Sequence, residues 1–269
     1  MSKNIGFIGC GNMAKAMIGG IVTSKLYSKE NVIVSNPSNP SLEYIKDKFG
    51  IITTNDNLKV AKFSDILILS IKPNKYKTVI NTIKDLIKEN TIIISIAAGI
   101  SIKTIEEYFD KEVKIIRTMP NTPAMVGEGM SSLCSNKNVN EDEVTLVEDI
   151  FRAFGQVEVV DESLMDVVTG VSGSSPAFVY MFIEALADGA VLEGLPRDKA
   201  YKMAAQAVLG SAKMVLETGK HPGQLKDEVC SPAGTTIESV YSLEKNDFRG
   251  SIIEAVKVCV EKAKAMGNK

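Results

Sequence analysis

Apolar positions in the first half of the chain gather into short runs: Lys3–Ile8, Asn31–Ser35, Asp65–Ile71, Thr91–Ile96, Val113–Thr118 and Gly129–Ser135. Ile66-Leu67-Ile68-Leu69 and Ile92-Ile93-Ile94 are apolar on both faces, which suits parallel strands covered by helices on either side. Helical spacing fills the gaps, at Met13–Ser24, Leu42–Lys48, Tyr76–Lys88 and Thr104–Phe109. Strand and helix alternating in this way predict a doubly wound α/β sheet. Glu141–Phe154 is its expected last helix and Gln156–Val160 its closing strand.

After Asp161 the strand runs cease. Ser163–Glu193 is one long apolar stretch, interrupted at Ser172-Gly173-Ser174-Ser175-Pro176 and stopped by Gly194-Leu195-Pro196. Helical patterns follow at Arg197–Glu217, Ile237–Glu244 and Ser251–Met266. The expected division is therefore residues 1–161, dinucleotide-binding, and residues 162–269, all-helical. Ser163–Glu193 is too apolar all round for a surface helix. A region of about 100 residues has limited interior, so this helix is expected in the interface of a homodimer, with a plain core helix as the alternative.

Composition narrows the function. A 269-residue chain with 45% hydrophobic and 24% charged residues can bury a full core. Its net charge of −2 leaves no basic footprint for nucleic acid. Cys10, Cys134, Cys230 and Cys259 form no Cys-x-x-Cys pair and have no neighbouring His, so neither a metal site nor a disulfide framework is expected. Cys10 sits where a lowered thiol pKa is conceivable, although a small residue at a variable position is the simpler reading. The first strand begins close to Met1, and no run of about 18 apolar residues is uninterrupted. A cytoplasmic protein without a membrane partner is the resulting expectation.

The chemistry starts at the first turn. Gly9-Cys10-Gly11-Asn12-Met13-Ala14 joins an apolar strand to a helix. Gly9 permits a tight turn, Gly11 lets a pyrophosphate reach the backbone, and Ala14 lets helix and strand pack closely. The N–H groups at Asn12 and Met13 then face the phosphates. The second strand ends Ser35-Asn36-Pro37-Ser38 with no Asp or Glu to hold ribose hydroxyls. Ser35, Asn36 and Ser38, with Asn57 if its loop folds alongside, are instead candidate donors to a 2′-phosphate. NADP(H) is therefore the expected preference, with NAD(H) possible.

Further segments resemble pyrroline-5-carboxylate reductases. They are Lys72-Pro73, Ser95-Ile96-Ala97-Ala98-Gly99-Ile100, Arg117-Thr118-Met119-Pro120-Asn121-Thr122-Pro123, Gly127-Glu128-Gly129, Ser172-Gly173-Ser174-Ser175-Pro176-Ala177-Phe178, His221-Pro222-Gly223-Gln224-Leu225-Lys226-Asp227 and Ser231-Pro232-Ala233-Gly234-Thr235-Thr236-Ile237. Ser175 and Ser239 depart from the usual pattern by small changes. The resemblance implies a Rossmann-type sheet followed by an all-α dimerisation domain, similar to the C-terminal domain of 6-phosphogluconate dehydrogenase. It also implies NADPH-dependent reduction of 1-pyrroline-5-carboxylate to L-proline, and dimers assembled into a higher oligomer. Thr236 is implied as the catalytic residue, its hydroxyl facing the ring nitrogen. Ala97 and Gly99 are implied in the cofactor site.

The residues agree with that chemistry on their own terms. A protonated imine is already an electrophile, so the protein need only bind, orient and hydrogen-bond the ring. The one histidine, His221, lies in a His-Pro-Gly turn and is read as a turn residue. Ser231, Gly234, Thr235 and Thr236 open a helix whose free N–H groups suit a substrate carboxylate. Lys72-Pro73 and Met119-Pro120-Asn121 follow strand ends, where ligands bind in open α/β sheets, and are assigned to the cofactor cleft, with Pro120 and Asn121 lining the nicotinamide pocket. Arg117 fits either a carboxylate clamp or a structural ion pair. The break at residues 172–177 exposes backbone groups, and Ser174 is a candidate contact there for substrate. A β-hydroxyacid dehydrogenase would need a Lys and an Asn that this break lacks, and a dinucleotide sensor would not need the Thr-rich loop.

Overall fold

The computed structural model describes residues 3–267, which form two compact units. The first comprises residues 3–174 with 258–267, and the second residues 175–257.

The first unit is built on an eight-stranded sheet of order β3-β2-β1-β4-β5-β6-β7-β8. Its strands are β1 (Ile5–Ile8), β2 (Val32–Ser35), β3 (Ile52–Thr54), β4 (Ile66–Leu69), β5 (Ile92–Ser95), β6 (Lys114–Met119), β7 (Gly129–Ser135) and β8 (Gly155–Val159). The connecting helices are α1 (Asn12–Thr23), α2 (Asn39–Phe49), α3 (Asn57–Phe63), α4 (Tyr76–Ile83), α5 (Ile102–Phe109) and α6 (Glu141–Arg152). Side chains alternate across the strands. Ile66 and Ile68 of β4 face α1 and α6 with Phe7, Met17 and Phe151, while Leu67 and Leu69 face α3, α4 and α5 with Ile80 and Phe109.

Strands β3 to β6 are parallel, but β7 runs antiparallel to β6, with β8 parallel to β7. The link between β6 and β7 holds only one 3₁₀ turn, Thr122–Val126. A parallel return needs a crossover of a dozen or more residues, so the chain doubles back. α6 supplies that crossover for β8. Its start is fixed by a capping box between Asn140 and Glu143.

Three elements went unforeseen in the sequence: β3, α3 and the helix Pro222–Val229, whose first residues read as a turn. β3 is only Ile52-Thr53-Thr54 at the sheet edge, too short to show a period. α3 is announced only by its N-cap, Asp56, which accepts from the Leu58 N–H at 2.9 Å.

Tyr76 holds the carboxyl ends of β4 and β5 together. Its hydroxyl donates to the Leu69 carbonyl at 2.7 Å and meets Ser95 Oγ at 3.0 Å in full burial, which pushes the phenol pKa up. Tyr76→Phe would leave the Leu69 carbonyl unsatisfied, an expected loss of about 1–3 kcal/mol, read from the urea midpoint.

The expected long helix is segmented. A 3₁₀ turn (Glu162–Leu164), α7 (Met165–Val168), a π-turn (Thr169–Gly173) and α8 (Ser175–Leu192) follow one another. By length and composition, the helical stretch Glu162–Leu192 is long and apolar enough to cross a membrane. That corrects the expectation that interruptions rule such a segment out: the Ser and Gly positions bend the pattern without making it polar.

The second unit contains α8, α9 (Arg197–Thr218), α10 (Pro222–Val229), α11 (Thr235–Lys245) and the first part of α12 (Phe248–Gly267). Only Ala187 of α8 is buried in the single chain, while Val179, Tyr180, Met181, Phe182, Leu186 and Leu192 stand exposed. Apolar exposure on this scale marks an interaction surface.

Candidate active site

The carboxyl ends of β1, β2, β4, β5 and β6 share one edge of the sheet. The winding reverses between β1 and β4, which is where open α/β sheets bind ligands. Gly9 lies at that point with φ +104°, and its N–H donates to the Ser35 carbonyl at 2.8 Å. Ser70, at the end of β4, fixes the turn: its hydroxyl lies 2.8 Å from the Gly9 carbonyl and its N–H donates to the Ile8 carbonyl at 2.9 Å. Gly11 is the N-cap of α1, and no side chain caps that helix. A Cβ built on Gly11 meets no atom within 4 Å. This open cradle above free helix N–H groups fits a pyrophosphate, and Asn12 and Met13 stand at its edge. Cys10 in the same turn is buried, and burial pushes its thiol up, against partial opposition from Lys15. The lowered pKa considered from the sequence is therefore corrected.

At the end of β2 the polar residues have different duties. Ser35 is buried, and its hydroxyl donates to Asn57 Oδ1 at 2.7 Å. Its single proton is thus committed, and Ser35 shapes the loop instead of offering a donor on its surface. Asn57 does fold alongside, as α3's first residue. Asn36 Oδ1 accepts from the Cys10 N–H at 3.2 Å, and its Nδ2 donates to the Ser38 carbonyl at 3.2 Å. Ser38 is exposed at the N-cap of α2 with its hydroxyl uncommitted. Asn55, unforeseen in the sequence because β3 was, donates from Nδ2 to the Asn36 carbonyl and to Asn39 Oδ1, each at 2.9 Å.

Further along the edge, Lys72 is exposed at the N-cap of the 3₁₀ turn Pro73–Lys75. Ala97 is buried, and Gly99 adopts φ +72° with Met266 of α12 packed against it. Met119 and Pro120 are buried at the end of β6. Arg117 is a structural cation. Its guanidinium lies 3.1 Å from Glu162 and 3.5 Å from Asp166. Asn121 is buried, with Nδ2 donating to the Ser172 carbonyl at 3.0 Å and Oδ1 accepting from the Met130 N–H at 2.9 Å. Both ends of its amide are therefore bonded within the protein. Ser174 follows the π-turn, and its hydroxyl oxygen accepts from the Cys259 thiol at 3.2 Å, leaving the hydroxyl proton free.

In the second unit, His221 caps α10 by accepting from the Gly223 N–H on Nδ1 at 3.0 Å, in keeping with a turn role. Ser231, Gly234, Thr235 and Thr236 come together at the start of α11. The Gly234 N–H donates to the Ser231 carbonyl at 3.1 Å, and Gly234 is the N-cap with no side chain capping it. A Cβ on Gly234 would lie 2.4 Å from Ser231 Oγ. The hydroxyls of Ser231, Thr235 and Thr236 have no hydrogen-bond partner among the described residues. No group of His, Cys, Asp and Glu able to hold a metal occurs among them either.

Residues 162–266 match the family model for pyrroline-5-carboxylate reductase dimerisation, and residues 4–99 match one described as NADP oxidoreductase coenzyme F420-dependent. Pyrroline-5-carboxylate reductase of Escherichia coli K12 is 48% identical over 266 residues, covering 99% of each chain. This chain belongs to the pyrroline-5-carboxylate reductase family. The structure of a pyrroline-5-carboxylate reductase from Coxiella burnetii superposes with TM-score 0.92 at 36% identity, covering 99% of both chains. The Plasmodium falciparum pyrroline carboxylate reductase with NADP bound superposes with TM-score 0.89 at 38% identity, covering 98% of both. Members of this family are NAD(P)-dependent oxidoreductases acting on a small molecule, and the chain pairs with copies of itself through its helical region.

Proposed function

We propose that the chain reduces 1-pyrroline-5-carboxylate to L-proline, the last step of proline biosynthesis, with NADPH as the preferred cofactor. When bound, the cofactor supplies the hydride that adds to the carbon of the protonated C=N bond. Gly9, Gly11, Asn12 and Met13 hold its pyrophosphate. Asn36, Ser38 and Asn57 face its 2′-phosphate, with Ser35 holding Asn57 in place. Lys72, Pro73, Ala97, Gly99, Met119 and Pro120 line the rest of the cleft. The uncapped start of α11 holds the substrate carboxylate, and the Thr236 hydroxyl hydrogen-bonds the ring nitrogen. The Ser174 hydroxyl donates a hydrogen bond to the substrate.

The observation that carries this reading is the α11 start, where three uncommitted hydroxyls and a free helix N-terminus make an anion cradle. Residues 1–161 act as the dinucleotide-binding domain and residues 162–269 as the substrate-binding and dimerisation domain. Dimers of this kind assemble further into a higher homo-oligomer in the cytoplasm, with α8 in the dimer interface. NADPH oxidation should be rapid with pyrroline-5-carboxylate, and NADP+ reduction should be absent with a 3-hydroxyacid. Tight cofactor binding with neither substrate turned over would instead identify a sensor.

The absence of an acid at the end of β2 also sets a cofactor ratio. Catalytic efficiency with NADPH is expected to exceed that with NADH by about tenfold, a modest margin because no Arg clamps the 2′-phosphate. Parallel initial-rate measurements with the two cofactors check it, and a strong NADH preference would reverse the assignment.

A further inference from the structure

We propose that Asn121 is a positioning residue, coupling the cofactor strand β6 to the serine-bearing π-turn through the hydrogen bond that Pro176 cannot give.

In a regular helix the Ser172 carbonyl would accept from the N–H four residues on. That residue is Pro176, which has no N–H. The break is further displaced by the π-turn, in which the Ser174 N–H reaches back five residues to the Thr169 carbonyl at 2.9 Å. Ser172 Oγ does not fill the gap, because it donates to the Val168 carbonyl at 3.2 Å. The donor comes from Asn121, whose Nδ2 meets the Ser172 carbonyl at 3.0 Å.

Both ends of the Asn121 amide are fixed. Oδ1 accepts from the Met130 N–H at 2.9 Å, so the orientation that gives Nδ2 to Ser172 is the one that satisfies both partners. The Asn121 carbonyl also accepts from the Ala124 N–H at 3.2 Å, starting the 3₁₀ turn that follows. At 8% exposure the side chain has little contact with water that could replace these bonds. A second contact runs beside the first: Met119 Sδ lies 3.6 Å from the position of a Cβ on Gly173. The end of β6 therefore sets the height of the π-turn, and with it the place of Ser174.

The inference rests on Ser174 contacting substrate, as proposed above, and a Ser174→Ala variant tests that part separately. Asn121→Asp keeps the acceptor for Met130 but points an oxygen at the Ser172 carbonyl. The expected result is a fall in kcat/KM for pyrroline-5-carboxylate of about tenfold or more, with the NADPH dissociation constant unchanged within about twofold. Pro176→Ala restores an N–H four residues beyond Ser172. In that background the Asn121→Asp penalty should shrink to about threefold or less.

Should Asn121→Asp not fold, Asn121→Ser, which cannot reach Ser172, enters the same cycle with the same expectation. Additive effects of the Asn121 and Pro176 changes, or a loss shared equally by NADPH affinity, would overturn the coupling. If Ser174→Ala leaves the kinetics unchanged while the cycle still couples, the substrate contact fails and the Asn121 bridge stands. If Ser174→Ala lowers kcat/KM and the cycle is additive, the bridge fails and the contact stands.

Discussion

Gly9→Ala is expected to lose most NADPH affinity and to destabilise the fold, whereas Gly11→Ala should lose affinity alone. The two glycines share a turn but meet different constraints. Gly9 has φ +104°, outside the range of an L-residue without strain, and a Cβ there would lie 2.3 Å from the Ser70 carbonyl oxygen. Ser70 has little room to retreat, because its N–H is bonded to Ile8 and its hydroxyl lies against Ile8 and Gly9. The strain alone is worth about 1–3 kcal/mol, and any relief moves β1 against β4 at the point where the cofactor sits. Gly11 has φ −77° and open space where its Cβ would stand. Alanine fits the backbone there but occupies the approach of the pyrophosphate. Fluorescence titration with NADPH should show losses of about tenfold or more for both variants, while only Gly9→Ala lowers the thermal midpoint. A Gly11→Ala protein that binds NADPH normally would move the phosphates away from this turn.

The first turn was legible because everything it needs is local: a strand, a spaced pair of glycines and an uncapped helix within a dozen residues. The alternation of β4 and β5 with helical segments was legible for a similar reason, since continuous Ile and Leu runs have few other homes. The direction of β7 was also present in the sequence, in the shortness of the chain between Met119 and Gly129, but the strand run alone does not reveal it. The helix α10 was not legible: His221-Pro222-Gly223 reads as a turn, and a proline at a helix's first position looks the same in sequence.

What was hidden depends on contacts distant in sequence. Ser35 reads as a surface donor until Asn57 is placed beside it, and the two meet only because β3 pairs with β2. Asn55 was missed with the strand that carries it. Arg117 could have faced a ligand; Glu162 and Asp166 decide that it does not. Asn121 sits in a motif that points toward the cofactor, yet its amide is bonded to Ser172 and Met130, the first of them far along the chain. Local pattern thus located the site, while the division between residues that face a ligand and residues that support them followed from tertiary hydrogen bonds.

Thr236→Val should lower kcat by about a hundredfold while leaving NADPH affinity and stability near those of the parent protein. Valine keeps the branched shape, so the first turn of α11 and its neighbours are retained. Only the hydroxyl goes, and Thr236 Oγ1 has no hydrogen-bond partner among the described residues, so no internal bond is lost with it. Fold stability therefore has no reason to change by more than about 0.5 kcal/mol. Reduction is different. As the hydride arrives, the ring changes from a planar cation to a basic amine, and the nitrogen's hydrogen-bonding demand changes with it. A hydroxyl held on a helix start can serve both states by rotating about one bond. Thr235→Val provides the contrast, because an exposed first-turn hydroxyl on the carboxylate side should raise KM for pyrroline-5-carboxylate more than it lowers kcat. Steady-state kinetics of the two variants, with NADPH titrations alongside, separate orientation of the ring from capture of its carboxylate. Unchanged turnover in Thr236→Val would take the hydroxyl out of the reaction and leave the α11 N–H groups as the only contribution of that loop.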